Sequence, residues 1–280
     1  GFNAGQVDEW NPDNPKGNRE HLAVTPLNEG LLRQNGGSWD APPSRVSVDD
    51  RQKRDMETIV SGLEAAAQPW QIKDPRILLL PRPWLDLRAN VRCIGIFRHP
   101  LAVAQSLNRR NGLDLQQGIQ LWIQYNKCLL GLLREQSFPL VLFTADSQRL
   151  LSTVNAALTS LFEESITAGD IHPQRAAEFF SQDLIHHTPE LAMDIDDSLA
   201  EAGVSRETRE QASDVWKGLL ALQNPGSLKL EPATGGKKAA GKPSPEQFDD
   251  VERLDEAIAQ SSDPIPLFRS HISQLQKRGK

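Results

Sequence analysis

Cysteine is scarce: Cys93 and Cys128 are the only two in 280 residues, and they form neither a CxxC pair nor a disulfide framework. Cys93 lies in an apolar strand-like run and Cys128 in a helix-like one, so both read as small buried hydrophobes. Long hydrophobic runs are missing too. None nears the ~18 apolar residues that suggest a membrane span, and the opening GFNAGQVDEW lacks the charged and apolar regions of a signal peptide. The expectation is a cytoplasmic chain. Positive charge is not in excess: 31 Lys and Arg stand against 37 Asp and Glu, a formal net charge of -6. That balance argues against a broad footprint for nucleic acid or anionic membrane, so any anion site must be local. The six histidines show no HExxH or similar spacing, and no metal is expected.

What is present is the composition of a globular protein, with 38% hydrophobic and 24% charged residues. A chain of this length can bury roughly three quarters of its unfolded surface. Residues 1–20 are rich in turn formers. A helix should follow, capped by Thr25 with Pro26 at its first position, carrying Leu27, Leu31 and Leu32 and ending at Gly36 and Gly37. Met56, Ile59, Val60 and Leu63 mark a second helix over 51–67. Two near-continuous apolar runs, 72–81 and 91–97, read as strands covered on both faces, which implies a parallel sheet. Pro100 opens a helix directly after the second run. Leu115, Ile119, Trp122, Leu129 and Leu133 define a longer helix over 114–136, with Asn126 filling the gap in its stripe. A third strand is expected at 138–143 and a helix at 147–162, which gives the alternation of a right-handed βαβ sheet. Beyond residue 173 only helical patterns occur, at 174–187, 189–201, 205–222, 245–260 and 264–277. The Gly, Lys and Pro rich stretch 226–245 has linker composition. The expected organisation is an α/β domain over 1–222, a linker or mobile loop over 223–245 and a helical segment over 246–280.

Chemistry concentrates at VRCIGIFRHPLAVAQSLNRRNG. A strand ending in Arg98 turns through His99 and Pro100 into a helix bearing Ser106. The carboxyl end of a strand followed by a helix N-terminus presents free backbone N–H groups and the positive end of the dipole, a natural phosphate site. Arg98 would add a forked, permanent charge and Ser106 a hydroxyl. The plainer alternative is an Arg paired at the surface and a Ser bonded back to its own helix. Two further segments draw attention, Lys73-Asp74-Pro75-Arg76 with Trp84 after it, and Asn14-Pro15-Lys16-Gly17 followed by Glu20, Asn28 and Trp39.

Together these segments resemble the bacterial PAPS-dependent sulfotransferase family, which has a P-loop-type α/β fold of a parallel sheet flanked by helices. An Arg at a strand end with a Ser eight residues on looks like that family's motif for the 3′-phosphate of PAPS, here Arg98 and Ser106. The KDPR block is similar to bacterial members, and the resemblance implies that Lys73 contacts the transferring sulfuryl group or its bridging oxygen. The opening loop resembles the NPxGxxE segment, which makes Glu20 the first candidate for the general base; His21 and Asp74 remain alternatives. LQQGIQLWIQYNKCLLGLL looks like an LWxxYN segment whose Trp122, Tyr125 and Asn126 either pack under the adenosine or belong to the core, Asn126 then bonding to a neighbouring loop. The implied activity is sulfuryl transfer from PAPS, without metal, to a hydroxyl or less favourably an amine of a carbohydrate or small metabolite. The family's phosphate loop is not found, since the chain begins 13 residues before Asn14 and holds no GxxRSGT-like motif. The expectation is therefore either an N-terminally truncated enzyme or a non-catalytic nucleotide-binding scaffold derived from that fold. GGKKAAGK at 235–242 fails the phosphate-loop pattern, because Pro follows Lys242 and no apolar strand precedes it.

Overall fold

A computed structural model describes residues 2–10, 17–66, 69–144, 146–162 and 195–223. The helices expected at 174–187, 245–260 and 264–277, and the linker at 226–245, lie outside the described residues. In chain order the elements are α1 (Val24–Gln34), α2 (Asp50–Glu64), a 3₁₀ turn (Pro75–Leu79), α3 (Pro81–Leu85), β1 (Gly95–Phe97), α4 (Pro100–Asn111), α5 (Leu115–Glu135), β2 (Leu140–Leu142), α6 (Ser147–Phe162), α7 (Asp196–Glu201) and α8 (Arg206–Gln223). The chain is α/β, with a two-stranded parallel sheet flanked by helices. β1 and β2 pair in the register Gly95 to Leu140 and Phe97 to Leu142.

Local chemistry accounts for the helix starts. Asp49 and Asp114 each build a capping box, accepting from the N–H of Gln52 and Gln117 while those side chains accept from the cap residue's own N–H. Thr25 does not cap α1. The helix begins at Val24 behind Ala23, without a side-chain cap, and Thr25 Oγ1 is buried with no hydrogen bond among the described residues. The larger correction is at 72–81, which is no strand. Asp74 accepts from the backbone N–H of Arg76, and Pro75, with its φ preset, opens a 3₁₀ turn that runs on into α3. A continuous apolar run suits a buried strand and a tight helical turn alike.

The sheet divides two cores. Phe97 and Leu140 face α4, α5, α7 and α8, where Leu101, Ile119, Trp122, Leu129, Leu199, Trp216 and Leu219 are buried. Val141 faces the other way onto Leu150 and Ala157 of α6. A third cluster joins α1, α2 and α3 through Val24, Leu31, Met56, Val60 and Trp84. Ile96 departs from the expectation of strands covered on both faces, being 57% exposed. The cysteines also differ from expectation: Cys93 is half-buried and Cys128 exposed, because residue 128 falls off the Trp122, Asn126 and Leu129 seam of α5.

α4 and α5 form a helical hairpin closed by Gly112, whose φ of 71° is the left-handed conformation that ends α4. The two helices approach closely at Gly118, where an added Cβ would stand 2.9 Å from both Cα and Cβ of Ala104. Since backbone would have to move, Gly118→Ala should destabilise by about 1–2 kcal/mol despite alanine's better helix propensity. A urea midpoint equal to or above that of the parent protein would contradict this packing.

Candidate functional site

Residues 14–16, the start of the NPxGxxE-like segment, lie outside the described residues, but its acidic end is in place. The Asp8 carboxylate accepts from Asn18 N and Glu20 N, each at 2.6 Å, and Asp8 N donates to Glu20 O at 3.0 Å. Between these bonds Arg19 sits at a φ of 57°. The left-handed conformation costs a non-glycine residue about 1 kcal/mol. Asp8 thus clamps a strained turn whose outcome is the placement of Glu20.

Glu20 meets the KDPR block across more than fifty residues of sequence. Its Oε1 accepts from Lys73 Nζ and its Oε2 from Arg76 Nη1, both at 3.0 Å. Lys73 Nζ also donates to Asn18 O at 2.9 Å. Arg76 is the node, since Nη1 also donates to Asp74 Oδ1 at 3.0 Å and Nη2 to Glu29 Oε1 at 2.9 Å. Burial pulls the Arg76 pKa down, but the Asp74 and Glu20 carboxylates outweigh it and the guanidinium is held more firmly charged than usual. The Asp74 side chain is 0% exposed. Its Oδ2 accepts from Asn28 Nδ2 at 3.0 Å, and Asn28 Oδ1 accepts from Trp84 Nε1 at 2.9 Å.

So Glu20, Lys73 and Asp74 converge, and they differ in reach. Glu20 keeps 13% side-chain exposure and Lys73 54%, whereas Asp74 is enclosed by donors from this chain. His21 stands apart. Its Nδ1 accepts from Ala23 N, and its ring lies against Gly5, where a Cβ would come within 2.6 Å of Nε2. Burial lowers the His21 pKa. Among the described residues no hydrogen bond or ion pair joins His21 to Lys73 or Arg76.

The second group lies at the carboxyl end of β1. The Arg98 guanidinium stacks 5.2 Å from the centroid of Phe143, just beyond β2, and the Arg98 carbonyl accepts from Trp122 Nε1 at 2.9 Å. Burial, with the charges of Arg109 and Arg110, brings the Arg98 pKa down to about 10, which leaves it a cation at neutral pH. His99 caps α4, its Nδ1 accepting from Leu101 N at 3.2 Å. Ser106 is half-buried two turns into α4.

α5 ties the two groups together. Trp122 holds the Arg98 carbonyl, and Tyr125, three residues on and so on the same side of the helix, lies within reach of the Arg76 and Asp74 charges. Burial, the largest influence, pushes the Tyr125 phenol up, and its hydroxyl donates to Trp39 O at 2.8 Å. α5 also packs directly on the 3₁₀ turn that follows Asp74. Trp122 is 3% exposed and Asn126 8%, so both belong to the core. Asn126 bonds back to Trp122 O of its own helix rather than to a neighbouring loop.

Sequence reasoning assigns Arg76 no role; its one available signal is an arginine two residues after an aspartate, across a proline. Elsewhere, a shallow hollow on α7 and α8 is lined by Asp196, Glu210, Ser213, Asp214 and Lys217 and includes none of the candidate residues. Among the described residues no cluster of His, Cys, Asp or Glu is placed to hold a metal, and no helix is long and apolar enough to cross a membrane. Comparison with protein-family models, curated proteins and solved structures gives no match.

Proposed function

We propose that the chain is a sulfotransferase of the P-loop type, moving a sulfuryl group from PAPS to a hydroxyl of a carbohydrate or small metabolite. The observation that carries this reading is the meeting of Glu20 with Lys73 at 3.0 Å, from two segments singled out separately in the sequence. Transfer requires a base at the acceptor hydroxyl and a cation at the leaving phosphate oxygen, and these two side chains are of those two kinds, side by side.

In the proposed step the acceptor oxygen bonds to sulfur as the bond from sulfur to the 5′-phosphate oxygen breaks. Glu20 takes the acceptor proton. Lys73 offsets the charge gathering on the departing phosphate, and the electron pair of the broken bond stays with PAP. Arg76 is a positioning residue that holds the Glu20 carboxylate, while Asp74 anchors Arg76. Arg98, at the strand end beside the start of α4, with Ser106 on that helix, binds the 3′-phosphate.

A nucleotide-binding scaffold is the second reading. It is favoured by one observation: both Glu20 oxygens are already engaged by cations of this chain. Incubation of the protein with PAPS labelled in the sulfuryl group and a panel of hydroxyl acceptors separates the two, since a scaffold releases no labelled product. The site itself is tested by calorimetric titration of PAP. Arg98→Ala should weaken binding by about tenfold or more, the worth of a charge-assisted contact. Equal affinity of variant and parent would remove the basis for the assignment.

A further inference from the structure

A row of alternating charge crosses the candidate site. Lys73 Nζ meets Glu20 Oε1 at 3.0 Å, Arg76 Nη1 meets Glu20 Oε2 at 3.0 Å, and Arg76 Nη2 meets Glu29 Oε1 at 2.9 Å. The ends of the row are open and its middle is closed. Side-chain exposure is 54% at Lys73 and 36% at Glu29, against 13% at Glu20 and 15% at Arg76 between them. Lys73 spends two of its three ammonium hydrogens, on Glu20 and on Asn18 O, so one remains. At the other end Glu29 Oε2 accepts no hydrogen bond from a described residue.

Charge balance does not call for Glu29. Asp74 and Glu20 already match Lys73 and Arg76, one carboxylate to each cation, and an ion pair that reaches solvent adds little to stability. The third carboxylate leaves the row with an anionic end that repels a phosphate ester, while the Lys73 end attracts one. What suits the Glu29 end is therefore a neutral hydrogen-bond donor, such as a hydroxyl. Its position is set from within the fold. Asn28 is 0% exposed and bonded to both Asp74 and Trp84, which fixes the rotation of α1 and delivers the next residue, Glu29, onto Arg76. Because Nη1 and Nη2 belong to one rigid fork, Glu20 Oε2 and Glu29 Oε1 stand no more than about 8 Å apart, within reach of a single sugar ring.

Resting on the sulfotransferase reading, we infer that Glu29 is an acceptor-binding residue: its open oxygen accepts a hydrogen bond from a second hydroxyl of the molecule whose reacting hydroxyl lies at Glu20. The consequence is specificity for polyhydric, sugar-like rings over monohydric alcohols. No bond is made or broken at Glu29. The second hydroxyl keeps its proton, and the row assigns the two substrates to opposite ends, the departing phosphate to Lys73 and the uncharged acceptor to Glu29.

The test measures transfer of labelled sulfuryl from PAPS to a panel of methyl pyranosides and to cyclohexanol, by the full chain and its Glu29→Ala and Glu29→Gln variants, with circular dichroism to check folding. The readout is the ratio of kcat/KM for the two acceptor classes. Any disturbance that Arg76 passes on to Glu20 acts on both classes alike and cancels in that ratio. The parent protein should prefer the pyranosides, and Glu29→Ala should shrink the preference by about tenfold or more, the worth of a charge-assisted hydrogen bond, mainly through a higher KM for the sugar. Glu29→Gln, whose amide oxygen is a weaker acceptor, should fall between. An unchanged ratio in Glu29→Ala, or a parent protein without the preference, overturns the role of Glu29 and leaves the sulfotransferase reading standing. No transfer by the parent protein to any acceptor removes both. Should Glu29→Ala misfold, Glu29→Gln decides: a smaller ratio than the parent's supports the contact, and an equal one overturns it.

Discussion

Asp74→Ala should lower folding stability by about 3–5 kcal/mol, the loss typical of removing one partner from a buried charged network. The carboxylate is fully enclosed, and three donors depend on it: Arg76 N at 2.8 Å, Arg76 Nη1 at 3.0 Å and Asn28 Nδ2 at 3.0 Å. Alanine would leave a largely buried guanidinium without one of its three carboxylates and a fully buried amide without an acceptor. It would also strip the cap from the 3₁₀ turn. Asn28 is held in turn by Trp84 Nε1, so the disturbance reaches the α1 and α3 core. Urea denaturation reads this as a lower midpoint at an unchanged slope. Asp74→Asn should lie between alanine and parent, at about 1–3 kcal/mol, because one amide oxygen still accepts while the amide nitrogen faces donors. A midpoint for Asp74→Ala within error of the parent would mean that this network does not anchor the fold. Glu20 rather than Asp74 is the base in the proposed step because its side chain keeps some exposure while that of Asp74 has none.

Much of this architecture was legible because side-chain periodicity and local capping report on single helices. Met56, Val60 and Leu63 mark one face of α2, and Ile119, Trp122 and Leu129 one face of α5, whatever the rest of the chain does. The run at 72–81 was not legible in the same way. Its conformation is decided by Asp74 folding back on the N–H of Arg76, a side-chain bond that apolar periodicity cannot report. Within the site, residue identity pointed to Glu20, Lys73 and Asp74, but their division of labour depends on which of them solvent reaches. Arg76 illustrates the limit. Its three carboxylate partners come from the 20–29 region and from its own turn, and only the folded chain brings Glu20 and Glu29 to one guanidinium.

Acid should destabilise the protein by about 3 kcal/mol between pH 6.5 and pH 4 through His99 alone. The imidazole is 6% exposed, and its Nδ1 accepts from Leu101 N at the start of α4, so the neutral ring carries its proton on Nε2. Nε2 has no hydrogen-bond partner among the described residues, and the ring stands edge-on to Trp216 with centroids 5.5 Å apart. Burial first, and the Arg98 charge second, push the His99 pKa from 6.5 down to about 4. Above pH 6.5 the residue is neutral in both folded and unfolded chains and contributes no pH dependence. Between 6.5 and 4 only the unfolded chain takes up the proton, so stability falls by about 1.4 kcal/mol per pH unit, and below 4 this contribution levels off. The folded protein resists protonation for a concrete reason: an N–H on Nδ1 would confront the N–H of Leu101 and undo the cap of the helix that begins beside Arg98. The control is His99→Asn, which can still cap but does not titrate. Carboxylates lose stability with acid in both proteins, so the difference between the two urea midpoints as a function of pH isolates the imidazole. That difference should grow between pH 6.5 and pH 4 and then level off, and parallel curves for parent and variant would show that His99 is not a buried neutral cap.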